Sequence, residues 1–291
     1  MSNTASLHAT LAPEDYLARA ARLPPAPRVL PQLLSLLSDP DCEMNQVIEL
    51  ISFDPGLTAK VLRTCNSAAL GLARPVTDID EAVKRLGLKL IYQLVAAAVG
   101  ARSLQPATAG FPQATPLWEH SVTTALAAQM LAKDLRLSEG PLFTAGLLHD
   151  IGKVVLLETW NDEYVKLLEA TAATPQELVP GEEERFAVNH GQLGGRLLAH
   201  WKFPPVIAAS VWHHPAPVAG MPYERETACL TLAESVADHI ALAAAGTLLP
   251  LTPGQEAALG VFNFTPDNLK SYVGRTLENF EFVNAMCQMR F

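Results

Sequence analysis

The seven residues Leu147-Leu148-His149-Asp150-Ile151-Gly152-Lys153 set an imidazole, a carboxylate and an ammonium at the end of an otherwise apolar run. A carboxylate in apolar surroundings is costly unless it is paired or bound to a cation. Whatever this chain folds into must solve that problem. A neutral histidine and an ionised aspartate side by side can ligate the same ion, because imidazole nitrogen and carboxylate oxygen both suit zinc, iron or manganese, and a carboxylate can bridge two ions. Two adjacent residues do not fill a coordination sphere, so the missing ligands must come from elsewhere in the chain. Its eight histidines are the first place to look.

Outside the loops the apolar residues recur at helical spacing, and alternating β patterns of useful length are absent, so the class is all-α. Residues 1–22 read as an extension with a short helix, Glu14 to Arg22, which Leu23-Pro24-Pro25-Ala26-Pro27 ends. A first helical half follows over 23–104. In it Asp54-Pro55 reads as a helix start, Thr77 or Asp78 as a cap, and Gly87 as a stop before a long apolar helix from Leu88 to about Leu104. Residues 105–116, rich in Pro, Gly, Ala and Thr, read as a seam or linker. A second helical core spans 117–246 and a C-terminal helical extension 247–291, the latter with a capped helix from Thr265 to Met289.

Helical register sorts the histidines of the second core. His120 falls on the stripe of Leu117, Thr124, Ala127 and Leu131 and so points inward. The helix opening near Glu139 ends in His149-Asp150, and a partly polar helix is expected from about Trp160. After an acidic loop, Pro180 to Glu184, a helix carries His190, Leu193, Gly194, Leu197, Leu198 and Trp201 on one face, and its paired glycines suit a close helix approach. A short helix from Pro204-Pro205 ends at His213-His214-Pro215. In the last core helix Asp238 lies beside the stripe Leu230, Ala233, Ala237 and Ala241. A lone histidine on an apolar face is more often a hydrogen-bonded core residue than a ligand, but His120, His149-Asp150, His190, His213-His214 and Asp238 together are hard to explain as core filler. His8, His200 and His239 are terminal or off the stripes.

Composition removes several function classes. Thirty acidic against 21 basic residues, a formal charge of −9, argue against broad, sequence-independent nucleic-acid binding, which needs a basic face. The four cysteines are far apart and form no CxxC pair, which points to reduced core thiols in a cytoplasmic protein rather than a disulfide framework or zinc knuckle. Met1 to Pro13 lacks the pattern of a secretory signal, and no uninterrupted apolar run suggests a membrane segment.

The order His, then His-Asp, then a distant Asp resembles the HD superfamily of metal-dependent phosphohydrolases, with His149-Asp150-Ile151-Gly152-Lys153 in the HDIGK form shared with HD-GYP phosphodiesterases. More specifically, Leu23 to Asp238 resembles the HDOD branch, the HD-related output domain of bacterial signalling proteins. The resemblance runs through Leu23-Pro24, Asp54-Pro55 with Leu57, Asn66-Ser67, Ala82 to Leu86-Gly87, Ala145 to Lys153, His190 with Gly194 and Trp201, and His213-His214-Pro215. It implies an HD-type helical bundle, with an N-terminal helical subdomain packed on an HD-like core. Many HDOD members have lost the His-Asp pair; this chain keeps it. The GYP continuation is absent, since Pro215 to Tyr223 reads PAPVAGMPY, which puts hydrolysis of the HD-GYP kind in doubt.

Carried over residue by residue, the resemblance implies one or two divalent ions, iron, manganese or zinc. His120, His149, Asp150 and Asp238 would hold one, and Asp150 with His190 and His213, or further His214, a second. Two cations roughly 3.5–4 Å apart acidify a shared water and clamp phosphate-ester oxygens. Asp150 and Lys153 are then the candidate catalytic residues, Lys153 by contacting a phosphate oxygen or, alternatively, as a solvated lysine or an ion-pair partner of Asp238. Two functions are expected. One is a signalling module with a metal-competent site, acting through other signalling proteins or a sensed ligand; the other is an active phosphohydrolase on a nucleotide or other phosphate ester. The stretch before Leu23 is short, so the input is expected from a separate protein, from a ligand in the metal cleft, or not at all.

Overall fold

In the computed structural model the described residues are 29–38, 43–52, 55–66, 74–108, 114–172, 174–243 and 251–287, and every regular element among them is helical. The first half consists of α1 (Val29–Ser38), α2 (Met44–Ser52), α3 (Pro55–Cys65) and α4 (Ile79–Thr108). Here α3 lies against α4, and α1 and α2 complete a small bundle around Leu33, Val47, Ile51, Val61 and Val83. Asp78 caps α4 by accepting a hydrogen bond from the Glu81 amide at 2.8 Å. Gly87 breaks its helical path with φ 77°, ψ 158°, a conformation that suits glycine. The Asn66 side chain takes both backbone groups of Val76, donating to its carbonyl at 2.8 Å and accepting from its amide at 2.6 Å. That clamp ties the α3–α4 connection to the bundle.

The second half contains α5 (Ala114–Asp134), α6 (Glu139–Leu148), α7 (Ile151–Thr171), a 3-10 turn (Pro175–Glu177), α8 (Leu178–Phe186), α9 (His190–His200), α10 (Pro205–His213) and α11 (Glu224–Ala243). It is followed by α12 (Pro253–Phe262) and α13 (Pro266–Cys287). α5 is the central strut, covered by α6, α11 and α13; α9 packs between α7 and α10, and α10 reaches α6 and α11. The paired glycines of α9 mark the expected close approach: a Cβ on Gly195 would lie 2.6 Å from the Trp212 Cβ of α10. The first half joins the second mainly where α4 meets α5, α6 and α7.

Several boundaries differ from the sequence reading. α4 continues to Thr108 and α5 begins at Ala114, so both ends of the 105–116 seam are helical; residues 109–113 lie outside the described set. α7 starts at Ile151, not Trp160, and Trp160 is a kink within it (φ −131°, ψ 27°). Pro180–Glu184 is helix rather than loop, because Leu178, Glu182 and Phe186 share one buried-side register in α8. The C-terminal extension holds α12 as well as the expected capped helix, which starts at Pro266 behind Thr265. The short helix at Glu14 to Arg22, the Leu23 to Pro27 stretch, Asp54 and Ser67 lie outside the described residues. By length and composition Glu139–Thr171 could cross a membrane, but it is α6 and α7 broken at His149-Asp150, and 83% of its most apolar window is buried in the protein.

Candidate metal centre

His149 and Asp150 form the whole connection between α6 and α7. Aspartate is among the best residues for capping a helix start, yet Asp150, at the N-cap position of α7, makes no side-chain cap. Its Oδ2 accepts a hydrogen bond from Lys153 Nζ at 2.8 Å, and its Oδ1 is buried without a hydrogen-bond partner in the protein. Gly152 explains how α9 closes on this carboxylate: a Cβ there would lie 1.9 Å from the His190 carbonyl oxygen. Burial alone would raise the Asp150 carboxyl, but His149, Lys153 and His190 around it hold it well below the ordinary carboxylate range. Burial likewise opposes the Lys153 charge, and Asp150, then Glu234, outweigh it and hold the ammonium above its usual range.

Three histidines are fixed in one tautomer by what their outer nitrogen meets. His149 Nδ1 lies 2.8 Å from the Gly146 carbonyl and His214 Nδ1 lies 2.7 Å from the Val211 carbonyl. His190 Nδ1 is 2.7 Å from Glu182 Oε2. Carbonyls and carboxylates only accept, so each Nδ1 carries the proton and each Nε2 keeps its lone pair. The three Nε2 atoms are buried and have no hydrogen-bond partner in the protein. Burial pushes the His149 imidazole down to about 3, and it pushes His214 well below its ordinary value. Both are neutral at pH 7, the form that ligates metal.

The rings converge, with centroids 5.2 Å apart for His120 and His149, 5.1 Å for His149 and His214, and 5.3 Å for His190 and His214. Three groupings each bring one ligand atom per residue within 4.8 Å of the others: His120, His149 and Asp150; Asp150, His190 and His214; and His149, His214 and Glu234. Asp238 stands beside the first, its Oδ1 3.8 Å from His120 Nδ1. Burial and the neighbouring carboxylates raise both Glu234 and Asp238 above the ordinary range; His120 opposes this at Asp238. A cation among them would relieve that repulsion.

The structure therefore brings together His120, His149, Asp150, Lys153, His190 and His214, with Asp238 at the rim. His213, expected beside His190, is elsewhere. It falls outside the α10 stripe Ile207, Ser210, Val211 and His214, and its ring centroid lies 6.1 Å from that of Trp212. Two carboxylates were missed. Glu234 faces His214, the nearest atoms 3.9 Å apart, and stands one turn before Asp238 on α11. Glu182 is fully buried and accepts from the His190 amide at 2.9 Å, from His190 Nδ1, and from the Tyr164 hydroxyl at 2.6 Å. It orients His190 rather than facing the cluster, as outer carboxylates behind metal-bound histidines do.

A cavity of about 530 Å³ opens beside the cluster, bordered at this end by His120, Asp150, Lys153, His190, His214 and Glu234. Buried polar atoms almost always have partners, and here four such atoms, His149 Nε2, Asp150 Oδ1, His190 Nε2 and His214 Nε2, have none from the protein. Nitrogen and carboxylate oxygen in this mixture fit iron, manganese or zinc. The residues thus fit the group that the resemblance implies.

The HDOD domain model matches residues 23–217. The chain belongs to the HDOD domain family. A candidate phosphohydrolase from Shewanella amazonensis is 25% identical in sequence, with TM-score 0.71 over 94% of this chain and 98% of its own. A candidate signal transduction protein from Marinobacter aquaeolei is 19% identical, with TM-score 0.72 over 95% of this chain and 66% of its own, a likeness of fold. An uncharacterized protein of Treponema pallidum is 30% identical over 208 residues; the match takes in 69% of this chain, which spans only 39% of that relative's length. Glu234 and Asp238 lie beyond the residues that the HDOD match covers, and the fold rather than the match brings them to the cluster.

Proposed function

We propose that this HDOD chain is a cytoplasmic bacterial signalling module that keeps a divalent metal centre and senses a phosphate-bearing ligand in the adjoining cavity. The observation that carries this is the set of four buried ligating atoms without a hydrogen-bond partner in the protein. His120, His149, Asp150, His190 and His214 would hold iron, manganese or zinc, with Glu234 and Asp238 at the open side. A cation bound there would polarise a phosphate oxygen and acidify water. The chain's own part is separate: Gly146, Val211 and Glu182 hold three imidazoles with their lone pairs inward. Lys153 stands over Asp150 with its charge available to a phosphate oxygen. The test is calorimetric titration of manganese into tag-free, chelator-treated protein. One to two equivalents are expected in the parent and none in Asp150→Ala; equal uptake by both would contradict the reading.

A second reading, hydrolysis of a phosphate ester, is favoured by Lys153 reaching the cavity beside Asp150 and by the likeness to the Shewanella protein. It predicts turnover of a generic aryl phosphodiester or a nucleotide with added manganese or iron, abolished by Asp150→Ala. Activity that survives that substitution would sink it.

A further inference from the structure

The walls of the cavity are more specific than its volume. Its described lining contains three carboxylates, Asp150, Glu234 and Asp238, against one ammonium, Lys153. Divalent cations held among these carboxylates would give the cluster end a field that attracts an anion. Lys153 is the one cationic side chain among the described lining residues, a complement for a single phosphate group. No arginine is among the described lining residues, so a second or third phosphate would meet neither a guanidinium nor another ammonium.

The apolar part of the wall includes Leu117, Leu157, Leu168, Leu178 and Val179, from α5, α7 and α8. Three polar side chains bordering it have partners within the protein. Thr231 Oγ1 donates to the His214 carbonyl at 2.8 Å, and Thr252 and Gln255 complete each other's capping box at the start of α12. Gln176, the remaining amide, is exposed to solvent. Among the described lining residues histidine is the only aromatic side chain. A nucleobase here would have no Phe, Tyr or Trp face to stack on.

We propose that the cavity takes a monophosphate ester of an apolar alcohol or phenol, phosphate at the His/Asp end and hydrocarbon against α7 and α8, in preference to nucleotides and polyphosphates. The volume, about 530 Å³, is that of an ordinary small-ligand site. The proposal rests on the metal-centre reading, since the cations supply the field that attracts the phosphate.

The probe is 1-naphthyl phosphate, titrated into tag-free, manganese-loaded protein whose metal content is measured first, with naphthol fluorescence followed to register any turnover. It should bind at least about tenfold more tightly than AMP, ATP, inorganic phosphate or 1-naphthol. Val179→Asp, which sets a charge in the apolar wall, should weaken naphthyl phosphate by about tenfold and leave the manganese content as it was. Manganese-loaded protein that prefers AMP or ATP, or that binds naphthyl phosphate equally well in Val179→Asp, overturns this proposal and leaves the metal reading standing. Protein that takes up no manganese overturns both.

Discussion

The two halves of this molecule bury opposite kinds of residue. In α1 to α4 the buried positions are Leu, Val, Ile and Ala almost throughout, and Thr64 is the one buried residue of the polar or charged kind among the described residues there. In α5 to α11 the interior also holds His149, Asp150, Glu182, His190 and His214. Apolar burial stabilises on its own account, whereas a buried carboxylate or imidazole is favourable only with its partners in place. The first half is therefore a support whose tolerances are those of packing. The second is a site whose tolerances are those of donor, acceptor and charge.

The largest effect that would sharpen this contrast is expected at Gly152. Gly152→Ala drives a methyl group against the His190 backbone, and the expected cost is about 4 kcal/mol of unfolding free energy by denaturant titration, with metal binding lost as well. Ile51→Ala, at a fully buried position in α2, should cost about 3 kcal/mol by the same measurement and leave metal stoichiometry intact. If Ile51→Ala also empties the site, the halves are not separable in this way.

A smaller effect, in the site alone, is expected from Glu182→Gln. The amide keeps the size of the side chain but weakens the hold on His190 Nδ1–H, so manganese affinity should fall about 10–100-fold by calorimetry. The nitrogen shifts of His190 in an NMR spectrum would show a mixed tautomer, which a merely structural role for Glu182 would not produce. The smallest effect is at the seam between the halves. Lys89 Nζ and Glu139 Oε2 are 2.6 Å apart across it, Lys89 well exposed and Glu139 half-buried, so Lys89→Ala should change stability by less than about 0.5 kcal/mol.

The helical class, the break at Gly87 and the inward stripe of His120 were legible because each depends on local spacing. So was the close approach at Gly194-Gly195. What escaped was register at element ends and within charged runs. His213 and His214 are neighbours at the end of α10, and only the stripe Ile207, Ser210, Val211, His214 tells which one turns inward. Glu182 sits among Glu183 and Glu184 and reads as a solvated acidic loop. Its place midway between Leu178 and Phe186, four residues from each, is the signal that could have found it. Glu234 stands four residues from both Leu230 and Asp238, so the argument that placed Asp238 beside the apolar stripe applies to it equally. The α7 start at Ile151 was missed because a two-residue connection leaves no room for the usual loop composition.

The most direct test of the central claim, that α6, α9 and α10 converge on one metal centre through His149-Asp150, His190 and His214, is elemental analysis of tag-free protein beside its His213→Ala and His214→Ala variants. One to two equivalents of iron, manganese or zinc in the parent, kept in His213→Ala and lost in His214→Ala, is the predicted result. Equal metal in all three, or a parent that stays metal-free after reconstitution, would contradict it.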